Sequence, residues 1–187
     1  MEIIGNEKNK MENNQNKEPN NIKPQIIVGI DPDVEKSGVA YLDCKSRKLE
    51  ITSLSFPQLL DYLQYIKRQA VINSTIYKIV IEAGWLNKSN WHVKQYDKAS
   101  IIAAKGNSTG RNHETGRKIE EMCRYWGMPV ELIKPLRKMW KGKDGKITQE
   151  ELAYFTGITG RTSQDGRDAA LLAWNYAGFP IKINVKK

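Results

Sequence analysis

The chain has 187 residues, 40% hydrophobic and 27% charged, with 30 basic and 21 acidic side chains and a formal charge of +9. That length supports one well-buried core, and no run of about eighteen apolar residues supports a membrane span or a secretory leader. Two widely separated cysteines, Cys44 and Cys123, argue against a disulfide framework or a Cys-x-x-Cys zinc site, so a reducing, cytoplasmic setting is expected.

Residues 1–24 are rich in Asn, and their four lysines and four glutamates cancel. With almost no apolar residue after Ile4, this segment is expected to be a disordered tail, since burial cannot offset its ordering entropy. Residues 25–187 then form the folded domain and carry the whole +9. Such an excess favours a polyanionic partner, nucleic acid above all, with solubility alone as the alternative.

From Gln25 the pattern turns apolar. QIIVGID is a strand ended by Asp-Pro, SGVAYLD a second, and KLEITSLS a third after the polar CKSR turn, which predicts an antiparallel meander. In PQLLDYLQYIKRQA, Leu59, Leu60, Leu63 and Ile66 form one helical stripe, with Pro57 suited to the first turn. TIYKIVIEAG reads as a buried strand ending at Glu82. A long polar stretch follows, holding Trp85, Trp91, His92 and Tyr96, with a short helix expected in DKASIIAAKG. Ile119, Met122, Cys123 and Trp126 make the next stripe, stopped by Gly127. VELIKP is a further strand, and Thr148 with Glu151 opens a short helix as a capping box. The Ala-rich run QDGRDAALLAWNYAG is the last helix. This order predicts an α/β domain: a five-stranded mixed sheet, three antiparallel strands then two parallel, flanked by helices.

The acidic residues carry the chemistry. Asp165 and Asp168 share a helical face, where a carboxylate pair is costly to crowd unless a cation neutralises it. Asp31 and Glu82 each end a strand that is otherwise nearly all apolar. Taken singly, Asp31 begins a turn, Glu82 faces solvent at a sheet margin, and either helical aspartate caps its helix. Jointly, adjacent strands would set Asp31 beside Glu82, with the last helix bringing its aspartates over them. Carboxylates without a Cys or His cluster suit Mg²⁺ or Mn²⁺. Four of them suffice for a two-ion site that activates water and stabilises the leaving oxygen of a phosphodiester. His92 and His113 have no metal spacing and read as ordinary polar side chains.

VGIDPD, SGVAYLD, IVIEAGW, GMPVELIKPLRKMWKG and DGRDAALLAW, in that order over residues 25–178, resemble the RuvC-like Holliday-junction resolvases of the RNase H-like superfamily. The resemblance implies an RNase H-like fold and a metal-dependent endonuclease that resolves four-way DNA junctions in recombination and repair. It implies a homodimer that binds two Mg²⁺ or Mn²⁺ ions through Asp31, Glu82, Asp165 and Asp168. Trp85 matches an aromatic position that reaches unstacked bases, with core packing as the alternative. Lys134, Arg137, Lys138, Lys141, Lys143 and Lys146 read as a loop touching phosphates, against a merely solvated charged loop. Asp33 stands where the family has Gly, and its extra carboxylate is expected to be solvated. Two rival functions remain: an RNase H-like nuclease acting on flaps, RNA–DNA hybrids or transposon ends, and a non-catalytic DNA-binding module.

Overall fold

The computed structural model describes residues 23–87 and 98–182. Nearly all of the expected tail, together with Trp91, His92 and Tyr96, lies outside the described residues. Strands β1 (Ile26–Asp31), β2 (Ser37–Asp43) and β3 (Leu49–Leu54) form the meander, and helix α1 (Phe56–Ile72) follows. Then come β4 (Tyr77–Glu82), a 3-10 turn at Gly84–Leu86, α2 (Ala99–Tyr125), β5 (Val130–Ile133), α3 (Gln149–Thr156) and α4 (Gln164–Tyr176).

The strands lie in the order β3-β2-β1-β4-β5. The β1–β2 and β2–β3 pairs are antiparallel and the β1–β4 and β4–β5 pairs parallel, which is the RNase H-like arrangement expected from the sequence. β1 sits at the centre, buried on both faces. On one face Ile27, Ala40, Leu42 and Val80 pack against Ala169, Ala170, Leu172 and Ala173 of α4. On the other, Val28, Ile30, Ile79 and Ile81 meet Leu59, Leu63 and Ile66 of α1 and Ile119 and Cys123 of α2. Two-sided burial explains why the central strands read as continuous apolar runs rather than alternating ones. Each fully buried Ile or Leu stabilises by about 1.5–3 kcal/mol, so these strands are rigid supports for whatever stands at their ends.

The helix starts follow their sequence signals. Ser55 precedes α1 and its N–H donates to the Gln58 side chain at 3.0 Å. Thr148 and Glu151 form the expected capping box of α3, with both reciprocal bonds present.

One expectation is corrected. The short helix in DKASIIAAKG and the separate helix around Ile119 are a single 27-residue helix, α2. Gly106 and Gly110 look like interruptions, but an isolated glycine costs a helix only about 1 kcal/mol relative to alanine. The packed C-terminal half of α2, with Gly116, Ile119 and Cys123 buried, extends through them. Its N-terminal half is largely exposed.

Candidate metal centre

The parallel β1–β4 ladder runs as far as Ile30 opposite Ile81. One residue further on stand Asp31 and Glu82, side by side at the ends of the two central strands. The polypeptide turns immediately after both. After Asp31, the Asp33 carboxylate accepts from the Glu35 N–H at 2.8 Å and from Asn112 Nδ2 at 2.9 Å, while Asn112 Oδ1 accepts from the Val34 N–H at 3.1 Å. Asp33 is therefore not simply solvated, as expected from the sequence; α2 holds it and the turn with it.

α4 brings in the other two carboxylates, and glycines set how close it comes. A Cβ on Gly38 would collide with the Asp165 carbonyl, and one on Gly29 with the Ala169 carbonyl, so the helix backbone rests directly on β1 and β2. A strand-interior glycine is one of the few sequence signs of such backbone approach. The helix-cap alternative for the aspartates is removed by Ser163, which caps α4 by accepting from the Gly166 N–H at 3.0 Å. Neither aspartate serves as the cap, so both carboxylates can take a partner from another element.

They find it at β1. Asp31, Asp165 and Asp168 each offer an oxygen within 4.8 Å of the others. Glu82 is outside that trio and beside it, coupled through charge to Asp31 and Asp168. Burial, then Glu82, Asp168 and Asp165, push the Asp31 carboxyl well above its usual range. Burial and Asp168 raise Glu82 to about 7, against the opposing pull of Lys138 and Lys146. Asp165 is also raised, first by burial. These acids repel one another in poor solvent, and only a cation lets them all ionise.

Lys146 supplies part of that charge. Its Nζ lies 3.1 Å from Asp168 Oδ2 and 4.0 Å from Asp165 Oδ1. Burial alone would lower this ammonium; Asp168, Asp31 and Asp165 outweigh it, and the net shift is upward. The sequence grouped Lys146 with the phosphate-facing lysines, and the fold separates it from them. The signal was faint: a Lys beside the buried Ile147, just before the Thr148 cap.

The loop between β5 and α3 is ordered by Trp140 against Phe155 and by bonds from Trp140 N–H to the Gly145 carbonyl (3.1 Å) and Gly142 N–H to the Lys146 carbonyl (3.0 Å). Lys134, Arg137, Lys138, Lys141 and Lys143 are exposed along it. Lys138 is near enough to act on Glu82. Trp85 lies partly buried against Gly116, edge-on to His113 at 6.2 Å between ring centroids, with the Arg117 guanidinium 5.7 Å above its ring. The described histidine, His113, is thus packed under Trp85.

Three carboxylate oxygens within reach of one point, and an ammonium already drawn to them, fit a hard divalent cation; no Cys or His stands in that group. Among the described residues no helix is long and apolar enough to cross a membrane. Fold and site together define an α/β domain with the RNase H-like strand order and an acidic cluster at the ends of its central strands. No family model matches the chain, and no curated protein matches it. Among solved structures it is similar to T. thermophilus RuvC in complex with Holliday junction substrate, at 15% identity and a TM-score of 0.45 over 82% of this chain and 92% of that one.

Proposed function

We propose that the protein is a metal-dependent structure-selective endonuclease that hydrolyses phosphodiesters of branched DNA, four-way junctions foremost. The observation that carries this reading is the convergence of Asp31, Asp165 and Asp168 at the end of a buried central strand, beside Glu82, whose carboxyl is raised by burial and by Asp168. In this reading Asp31, Asp165 and Asp168 hold Mg²⁺ or Mn²⁺, with Glu82 completing the set. The cation, when bound, supplies a Lewis acid that activates water and offsets charge on the leaving oxygen.

The chain's own groups do the rest. Glu82, whose carboxyl burial and Asp168 raise to about 7 while no cation is present, gives up its proton as a cation completes the set. Lys146 and Lys138 offset the negative charge that a phosphate brings to a cluster of acids. Lys134, Arg137, Lys141 and Lys143 hold the flanking backbone, and residues 25–187 work as one nuclease unit, with the tail outside it. A four-way junction presents two equivalent strands, which suits a two-fold homodimer acting on cytoplasmic DNA.

The test is cleavage of a synthetic four-way junction in Mg²⁺. Asp31→Asn is expected to lose nicking by at least about a hundredfold, the scale of removing one strong electrostatic contributor, while junction binding persists. Undiminished cleavage by that variant overturns the site. A second reading, cleavage of flaps, hybrids or transposon ends by the same centre, is favoured by Trp85, whose ring is engaged with α2 rather than presented to bases. Cut sites on a panel of junction, flap, hybrid and duplex substrates separate the two. Paired symmetric nicks on the junction support the resolvase alone. Tight binding without cleavage of any of them in Mg²⁺ or Mn²⁺ would leave a DNA-binding module.

A further inference from the structure

The two oxygens of Asp168 face different partners. Oδ2 meets the Lys146 ammonium at 3.1 Å, and the same ammonium stands 4.0 Å from Asp165 Oδ1. Oδ1 accepts from Gln164 Nε2 at 2.9 Å. The same amide nitrogen donates to the Ile147 carbonyl at 3.2 Å, and Gln164 Oε1 accepts from Arg167 Nη2 at 2.8 Å. Arg167 is in turn anchored through Nε to the Ile147 carbonyl at 3.1 Å and through Nη1 to the Thr162 carbonyl at 2.6 Å.

This network admits one orientation of the amide. Turned over, Gln164 would set its oxygen against a carboxylate and a carbonyl and its NH₂ against a guanidinium, so every bond would become a repulsion. Arg167 therefore selects the face of Gln164 that donates to Asp168. Because Ile147 directly follows Lys146, the same two side chains also tie the backbone that carries Lys146 to the helix that carries Asp168.

We propose that Gln164, oriented by Arg167, is a positioning residue that occupies Oδ1 of Asp168, so that a divalent cation reaches only Oδ2, the oxygen that Lys146 also faces, and that ligand is monodentate. This rests on the metal-centre reading above. A monodentate carboxylate suits the compact octahedron of Mg²⁺ or Mn²⁺. Freeing Oδ1 permits two-oxygen ligation, which the larger and more flexible shell of Ca²⁺ accommodates. The consequence is a preference between cations set by an amide that touches neither.

The experiment is calorimetric titration of the full chain with Mn²⁺ and, separately, Ca²⁺, without DNA, on wild type, Gln164→Met, Gln164→Ala and Asp168→Asn, with melting in EDTA alongside. Both Gln164 variants are expected to weaken Mn²⁺ roughly tenfold, the usual scale for losing such an outer partner, while Ca²⁺ affinity holds or improves. Gln164→Met retains the side-chain bulk and guards against a folding defect in Gln164→Ala. Equal losses for both cations, or a loss that follows a lowered melting temperature, would mean a merely structural role and overturn the proposal. So would unchanged Mn²⁺ binding in both variants when Asp168→Asn has lost it, leaving the metal centre intact. If wild type itself binds no Mn²⁺, or Asp168→Asn binds as wild type does, the metal-centre reading falls and this inference with it.

Discussion

Glu82 shows how burial tunes a single residue. Its carboxyl is raised from a usual 4.5 to about 7 by burial and by Asp168, so the folded protein holds this proton more tightly than the unfolded chain does. The folded state then binds the extra proton between those two values, and stability of the metal-free protein falls as pH rises through that window, by up to about 3 kcal/mol from Glu82. Asp31, raised as well, acts in the same sense. The melting temperature in EDTA is therefore expected to be higher at about pH 5 than at about pH 8, with Glu82→Gln flattening the decline and Mg²⁺ reversing it. A flat wild-type profile would mean that the acids do not crowd one another. At this scale the sequence was informative about the acids, because a charge ending an apolar strand is conspicuous. It was nearly silent about Lys146 and Gln164. A basic residue in a basic loop and a polar residue at a helix start carry no mark of the partner that the fold will bring to them.

The decisive element is α4, and its placement depends on what is missing beneath it. Gly29 and Gly38 remove two side chains from the sheet face, and the backbone of Asp165 and Ala169 occupies the space. Gly38→Ala is expected to force helix and sheet apart, costing about 1–3 kcal/mol as overpacking does and weakening Mn²⁺ binding together with stability. Gly110→Ala provides the contrast. Its added methyl group meets nothing within 4 Å, and the glycine lies on the exposed half of α2. This change is expected to stabilise by up to about 1 kcal/mol with metal binding unchanged. Urea titrations of the two variants measure both effects; stabilisation by Gly38→Ala would show that α4 is not seated as described. The same contrast explains the misplaced boundary in α2. Glycine looks alike in sequence whether it breaks a helix, lets a ring approach as Gly116 does for Trp85, or is merely tolerated.

Across the molecule, the β5–α3 loop meets the acidic cluster at two points, with the exposed Lys138 acting on Glu82 and the half-buried Lys146 on Asp168. In the proposed nuclease, such an arrangement would draw in a polyanion and then need a cation to let it approach. Replacing Lys134 and Lys143 with Gln is expected to lower the slope of log binding constant against log salt by about 0.9 for each residue that touches a phosphate, measured on a four-way junction. An unchanged slope would make the loop a solvated surface. Sequence alone determined the order of elements and singled out the strand-ending and helical acids as candidates, because periodicity, strand-ending charges and caps such as Thr148 are local signals. Only the tertiary structure decided that β1 and β4 are neighbours, that three of the acids meet at one point with Glu82 beside them, and that Lys146 and Gln164 complete the surroundings of Asp168. Those contacts join residues far apart in the chain, and what makes them possible, a glycine floor and a returning loop, has no periodicity to read.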